Sequence, residues 1–239
     1  IAKLLTAALC TGLIAGMTTG CGSASSASGE NGQVIVYNWG EYIDPDTITM
    51  FEEETGIKVV YDEFETNEIM YPKVETGASE YDVICPSDYM ISKMIENDLL
   101  SELNFDNMPN AKANIGEQYW EQSKGFDPEN KYSIPYMWGT VGLLVNKKAV
   151  DVSTIKSWKD LARPEFKGRV LLSDDLRDTF GVGLKACGYS INSTNPDEIK
   201  SAYEWLKALK PSVRVFDVTA TKQAFISEEV VAGLAWNGD

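Results

Sequence analysis

Short apolar runs alternate with amphipathic stretches along most of this chain. The first run, Val34–Tyr37, breaks off into Asn38, Trp39, Gly40, Glu41 and Tyr42. Asp44-Pro45-Asp46 then opens a helix through Phe51 to Thr55, with Gly56 placed as a left-handed cap. Ile57, Val59 and Tyr61 alternate as a second strand. A helix is predicted from Asn67 to Thr76, stopped by Gly77 and kinked or shortened by Pro72. Tyr81–Cys85 reads as a buried strand, followed by a helix from about Asp88 to Asp98.

After a stretch of mixed character over 101–132, the apolar centre of "YSIPYMWGTVGLLVNKKAV" reads as a strand crossing between two domains. "SWKDLARPEFKG" predicts a helix and a turn before a strand at Val170–Leu172. Helices at about 178–187 and 196–208, a strand near Arg214–Phe216, a helix at about 219–227 and a last strand in "VVAGLAW" complete the pattern. Strands alternating with helices in this way specify an α/β body with mainly parallel sheets.

In open α/β sheets, ligands sit outside the carboxyl ends of the strands. Four strands here end in aromatic or acidic clusters: Trp39/Glu41/Tyr42, Ser87/Tyr89, Asp174/Asp175/Asp178 and Trp236/Asn237. Two fall in each half, as two half-sites facing across a cleft would. Carboxylates complement ammonium groups, and aromatic faces attract cations while covering methylene chains. The implied ligand is elongated, polycationic and partly aliphatic. Each cluster also has a structural explanation. Trp39, Tyr42 and Trp236 could close a core, and Asp175 and Asp178 are spaced as a helix N-cap and a first-turn acid.

Composition narrows the chemistry. The chain holds 36 acidic against 21 basic residues, a net charge of −15, which disfavours nucleic acid as a partner. Acidity of this kind also serves plain solubility. There is no histidine, so Ser-His and Cys-His nucleophiles and the commonest zinc ligand are absent. No metal, cofactor or catalytic residue is expected. Cys85 and Cys187 lack a CxxC spacing and read as small buried hydrophobes.

The N-terminal residues have the order of an export signal: Lys3, an apolar run over 4–17, then small residues. That run is short for a membrane span. Residues 1–20 are read as a signal peptide. "TTGC" resembles a bacterial lipobox, with Cys21 the lipid acceptor and Thr18 in place of the usual Leu. Residues 21–33, rich in Ser, Gly and Ala, form a tether.

The motifs "YNWGEYI", "FEEETGIKVVYDEFETNE", "YDVICPSDY", "YSIPYMWGTVGLLVN", "SWKDLARPEFKG", "LLSDDLRD" and "AWNG" resemble the spermidine/putrescine-binding component of bacterial ABC importers. That resemblance covers Val34 to Asp239 and implies a type II periplasmic-binding-protein fold, two α/β lobes with a ligand cleft between them. It implies lobe 1 over 34–138, a crossover hinge over 139–143 and lobe 2 over 144–239. By it, Trp39, Tyr42, Tyr89 and Trp236 line a methylene chain, Glu41, Asp175 and Asp178 meet ammonium groups, and Ser87 and the backbone of Gly40 sit beside the ligand. Gly40 stands where Thr or Ser is common, and Asp178 where Glu is common. The implied partners are a polyamine, permease subunits of an ABC transporter and, through the lipid, the outer face of the cell membrane, with the protein a monomer. The family continues past "WNG", so this chain is expected to be a fragment with part of the site and weak binding of its own.

Three other readings stay open. A type II receptor for an amino acid, oligopeptide, sugar or metal ion would use Arg177 or paired tyrosines. A glycoside hydrolase would use two of Glu41, Asp174, Asp175 and Asp178. "GVGLKA", Gly181 to Ala186, matches a dinucleotide fingerprint but falls within the predicted helix at about 178–187 instead of at a strand–helix turn.

Overall fold

The computed structural model describes residues 31–40, 42–217, 219 and 221–238. The signal peptide, Cys21 with most of the tether, and Glu41 lie outside the described residues.

The first sheet contains β1 (Gln33–Trp39), β2 (Lys58–Phe64) and β3 (Val83–Ile84), in the order β2-β1-β3 and all parallel. Parallel strands need crossovers. They are α1 (Pro45–Thr55) and α2 (Asn67–Glu75), and α3 (Asp88–Glu96) follows β3. Local signals set the bounds of α1. Asp44 accepts from the Asp46 N–H at 3.0 Å, Pro45 supplies a helical φ at the first turn, and Gly56 closes the helix at φ 68°. In α2 the helix runs through Pro72 and ends at Glu75, where the Thr76 N–H donates to the Pro72 carbonyl. Gly77 at φ +63° then reverses the chain.

Tyr37, Phe64, Met70, Tyr71, Met90 and Met94 form the core between this sheet and its helices. Tyr37 stacks on Tyr81 at 4.2 Å and meets Phe64 edge-on at 4.9 Å. The expected buried strand over Tyr81–Cys85 is corrected to two residues, with Val83 half exposed. Asp82 explains the shortening. Its carboxylate accepts the Ile35 N–H at 2.8 Å while its own N–H donates to the Ile35 carbonyl, so a side chain stands in for part of the ladder at this sheet edge.

Thr66 caps α2, accepting the Ile69 N–H at 3.3 Å. Thr66→Ala is expected to cost about 1 kcal/mol. Urea unfolding checks this, and an unchanged midpoint would show the cap to be idle.

The mixed stretch holds a 3-10 turn at Phe105–Asn107, α4 (Pro109–Asn114) and α5 (Glu117–Ser123). Beyond them, buried Asp127 accepts from the N–H groups of Lys131, Tyr132 and Ser133 and from the Ser133 hydroxyl. This carboxylate fixes the start of the crossing segment. The crossing itself, residues 133–140, is neither helix nor strand; the strand ladder begins at Val141, which pairs with Trp236, just after Thr140 exchanges hydrogen bonds with Asn237.

The second sheet has β4 (Val141–Val145), β5 (Val170–Leu172), β6 (Val213–Phe216) and β7 (Ala232–Trp236), ordered β4-β7-β5-β6. All its pairs are parallel except β4 with β7. Leu161, Phe166, Val170, Leu172, Val182, Leu209 and Leu234 are its core. Helices α6 (Leu176–Cys187), α7 (Pro196–Leu209) and α8 (Thr221–Ile226) complete this half. The expected helix at "SWKDL" is a 3-10 segment, Trp158–Ala162, opened by a Ser157–Asp160 capping box and stopped by Arg163-Pro164. Five residues before a proline leave no room for a longer helix. Gly181 and Gly183 lie inside α6, and a Cβ on Gly183 would stand 2.9 Å from Leu206 Cγ. Gly183 lets α6 approach α7; the strand–turn–helix setting that a dinucleotide needs belongs to neither glycine. Cys85 and Cys187 are free thiols, partly buried and not fully so as expected.

Candidate functional site

The carboxyl end of β1 carries Trp39. Its ring packs on Phe64 at 4.6 Å and lies 6.1 Å from Tyr42, and the Trp39 backbone N–H donates to Oδ1 of buried Asn38. Gly40 is exposed, and a Cβ there would lie 3.6 Å from Glu63 Oε2. The Tyr42 carbonyl accepts a hydrogen bond from the Tyr136 hydroxyl, so this loop is tied to the crossing segment.

The end of β3 carries Ser87 and Tyr89, both organised by Asn67 at the first turn of α2. Asn67 is fully buried. Its Nδ2 donates to Ser87 Oγ and to Tyr89 Oη, each at 3.0 Å, and its Oδ1 accepts the Ser87 N–H at 3.2 Å. Tyr89 Oη in turn donates to Glu68 Oε1 at 3.2 Å.

In the second half, β5 ends in Ser173, whose hydroxyl accepts the Asp175 N–H at 2.9 Å. Asp175 is the N-cap of α6, its Oδ1 accepting the Asp178 N–H at 3.0 Å. The cap explanation offered by the sequence is therefore correct as far as it goes. Caps usually face water, however, and Asp175 is only 5% exposed. Burial raises its carboxyl above the ordinary value, with the Glu68 charge adding to the effect. Asp178 is pushed up to about 7 by burial first and then by the Asp175 charge, against the opposing pull of Arg177. Asp174 is exposed.

Residues from the two halves meet here. The Arg177 guanidinium of α6 lies 5.1 Å from the Tyr89 ring centre and donates to Asn192 Oδ1 at 2.6 Å. Burial raises the Tyr89 phenol, and the Asp175 and Glu68 charges raise it further. Tyr89, Asp175 and Asp178 thus form one electrostatic unit with Glu68. Trp39, Gly40 and Tyr42 form a second group at the end of β1. Trp236 ends β7, paired with Val141. A cavity of about 320 Å³ opens beside the unit, between Glu68 and Tyr89 on one side and Leu176, Arg177, Phe180 and Ile191 on the other. Its wall is mainly apolar, and of the eight expected site residues that are described it includes only Tyr89.

Asn67, Glu68 and Tyr136 carried no sequence signal for a site. Asn67 and Glu68 look like ordinary first-turn residues after a Thr cap, and Tyr136 is one aromatic among several.

Two α/β sheets, joined by an extended crossing and presenting their polar residues at carboxyl strand ends, are the architecture of a type II periplasmic binding protein. The chain belongs to the bacterial extracellular solute-binding protein family, whose sequence profile matches residues 46–239. It is 39% identical over 229 residues to the spermidine/putrescine-binding periplasmic protein of Salmonella typhimurium, covering 95% of this chain and 64% of that one. The putrescine-binding periplasmic protein SpuD of Pseudomonas aeruginosa is 32% identical, with 99% and 65% covered. Among solved structures, the spermidine/putrescine ABC transporter substrate-binding protein of Streptococcus pneumoniae superposes with a TM-score of 0.66 at 39% identity, over 86% of this chain and 62% of that one. The Tp0655 lipoprotein of Treponema pallidum gives 0.77 at 32% identity, over 84% and 63%. This chain therefore spans 64% of the length of its Salmonella relative.

Proposed function

We propose that the protein carrying this chain captures a polyamine outside the cytoplasm and delivers it to an ABC permease without chemical change. One observation carries the reading: a buried carboxyl, Asp175, and a half-buried one, Asp178, share the end of β5 in a place that disfavours their charge, where the Glu68 charge also acts on them. Withdrawing carboxylates from water is costly, and an ammonium group beside them would relieve that cost. The relatives named for spermidine and putrescine support the same ligand class.

Trp39, Tyr42, Trp236 and the ring of Tyr89 are assigned to the methylene chain, with Glu41, Asp175 and Asp178 as ammonium partners. Ser87, Tyr89 and the backbone of Gly40 complete the contacts. The missing side chain at Gly40 and the short Asp178 bear on the preference between putrescine and spermidine. Residues 34–138 and 144–239 would act as lobes hinged at 139–143, closing when the ligand contacts both. A signal peptide over 1–20 would direct export, and a lipid on Cys21 would hold the receptor, a monomer, at the membrane.

A glycosidase would also want one carboxyl raised to near neutrality, and Asp178 has that property. Its neighbour Asp175 is committed to the helix cap, its Oδ1 holding the Asp178 N–H, so it is not free to act as the second catalytic carboxyl. Release of a chromogenic aglycone is expected to be nil.

Calorimetric titration of putrescine and spermidine into the natural full-length protein tests the reading. Micromolar or tighter binding, weakened by salt, supports it; no heat with either overturns it. The pH dependence follows from Asp178. Its proton is held more tightly in the unliganded fold than in an exposed carboxyl, so the stability this group contributes is full below about 4 and is lost as pH rises through about 7. A bound ammonium favours the ionised form and expels that proton. Affinity should rise with pH by up to about tenfold per unit below 7, then level off. A flat profile from pH 5.5 to 8 would remove Asp178 from the site.

A further inference from the structure

Asn67 is the most completely buried polar side chain in the first half, and its three hydrogen bonds all go to Ser87 and Tyr89. The orientation of its amide is forced. The Ser87 backbone N–H can only donate, so the carbonyl end faces it and the NH2 end must face both hydroxyls. Tyr89 Oη therefore receives a hydrogen from Asn67. Its own hydrogen is spent on Glu68 Oε1, an acceptor. What Tyr89 has left is a lone pair.

We infer that Asn67 and Glu68 are positioning residues that fix the hydrogen-bond polarity of the site, leaving the Tyr89 hydroxyl able only to accept. A group meeting that oxygen must donate. An ammonium donates in every rotamer, whereas an alcohol on the same carbon chain must spend its single hydrogen there and a carboxylate has none to give. Ser87 Oγ likewise accepts from Asn67 and keeps a lone pair for a second donor. Selection for amine over alcohol would then come from two residues that need not touch the ligand. This inference rests on Ser87 and Tyr89 being ligand residues.

The test uses the natural full-length protein, calorimetry, and two probes, putrescine and 4-amino-1-butanol. Glu68→Leu frees the Tyr89 hydrogen and should shrink the putrescine preference over the amino alcohol about fivefold, while Glu68→Gln, which keeps an acceptor oxygen, should restore most of it. In a Tyr89→Phe background, Glu68→Leu should leave the preference unchanged. Asn67→Asp reverses the donor end and should weaken putrescine about tenfold, with no further loss when Ser87→Ala and Tyr89→Phe are already present. Thermal unfolding is followed alongside; Glu68 is exposed, so its arm holds even where Asn67→Asp fails to fold. Equal effects of Glu68→Leu with and without the Tyr89 hydroxyl, or no rescue by Gln, would overturn the inference while leaving polyamine binding intact. Tyr89→Phe with unaltered affinity for putrescine would overturn both the inference and the place of Tyr89 in the site.

Discussion

Asp175→Asn is expected to weaken putrescine binding by the natural full-length protein by about 1.5–3 kcal/mol, the range for a hydrogen bond to a charged group. The substitution is chosen because Asp175 has two separable jobs. As N-cap of α6 it needs only an oxygen to accept the Asp178 N–H, and Asn caps a helix as well as Asp. Folding stability should therefore stay within about 0.5 kcal/mol of the parent. As a buried carboxylate it needs its charge, and Asn lacks one. Lost affinity with kept stability separates the two jobs. Affinity and stability both unchanged would reduce Asp175 to a cap and remove the main support for a cationic ligand. The proton affinity of Asp178 should fall in the same variant, because the Asp175 charge is one of the causes that raise it, and the pH at which binding levels off should move down with it.

Gly233→Ala is expected to cost about 3 kcal/mol or more, the largest stability loss proposed for a single methyl group in this chain. Gly233 lies in β7 between Leu144 of β4 and Leu171 of β5. A Cβ there would stand 2.2 Å from the Leu171 carbonyl oxygen and 3.0 Å from its carbonyl carbon and nitrogen. Side chains can turn away from an intruding methyl; backbone in the middle of a sheet cannot. β5 would have to separate from β7, and β5 is the strand that delivers Ser173 and Asp175 to the cleft. Gly142→Ala is the control, since a Cβ at that position of β4 meets nothing within 4 Å. Equal unfolding midpoints for the two variants would mean that β5 and β7 do not approach in this way.

Much of the fold was legible because its signals are local. Asp44, Pro45 and Gly56 bracket α1, Asn195 and Pro196 open α7, and the apolar triplet Val170–Leu172 is β5 to the residue. Each depends on backbone preferences of neighbours in the chain, which act in any tertiary setting. The pattern failed where a distant group intervened. Tyr81–Cys85 has the apolar run of a buried strand, yet Asp82 turns its carboxylate to Ile35 and only two residues stay in the ladder. The crossing at 133–140 has strand-like composition but joins a strand ladder only where Val141 meets Trp236.

The candidate site divides along the same line. The sequence by itself determined the α/β class, the polar residues at strand ends and the acidic, histidine-free chemistry that points to a cation. These follow from residue type and short spacing. Tertiary structure alone decided that Asp175 is buried, that Asp178 holds its proton to about 7, and that Arg177 of one half lies over Tyr89 of the other. It also gave Asn67, an ordinary helix residue in the sequence, command of two hydroxyls 20 and 22 residues further on. Desolvation and hydrogen-bond direction depend on what surrounds a group in space, and those surroundings come from chain segments that no local pattern connects.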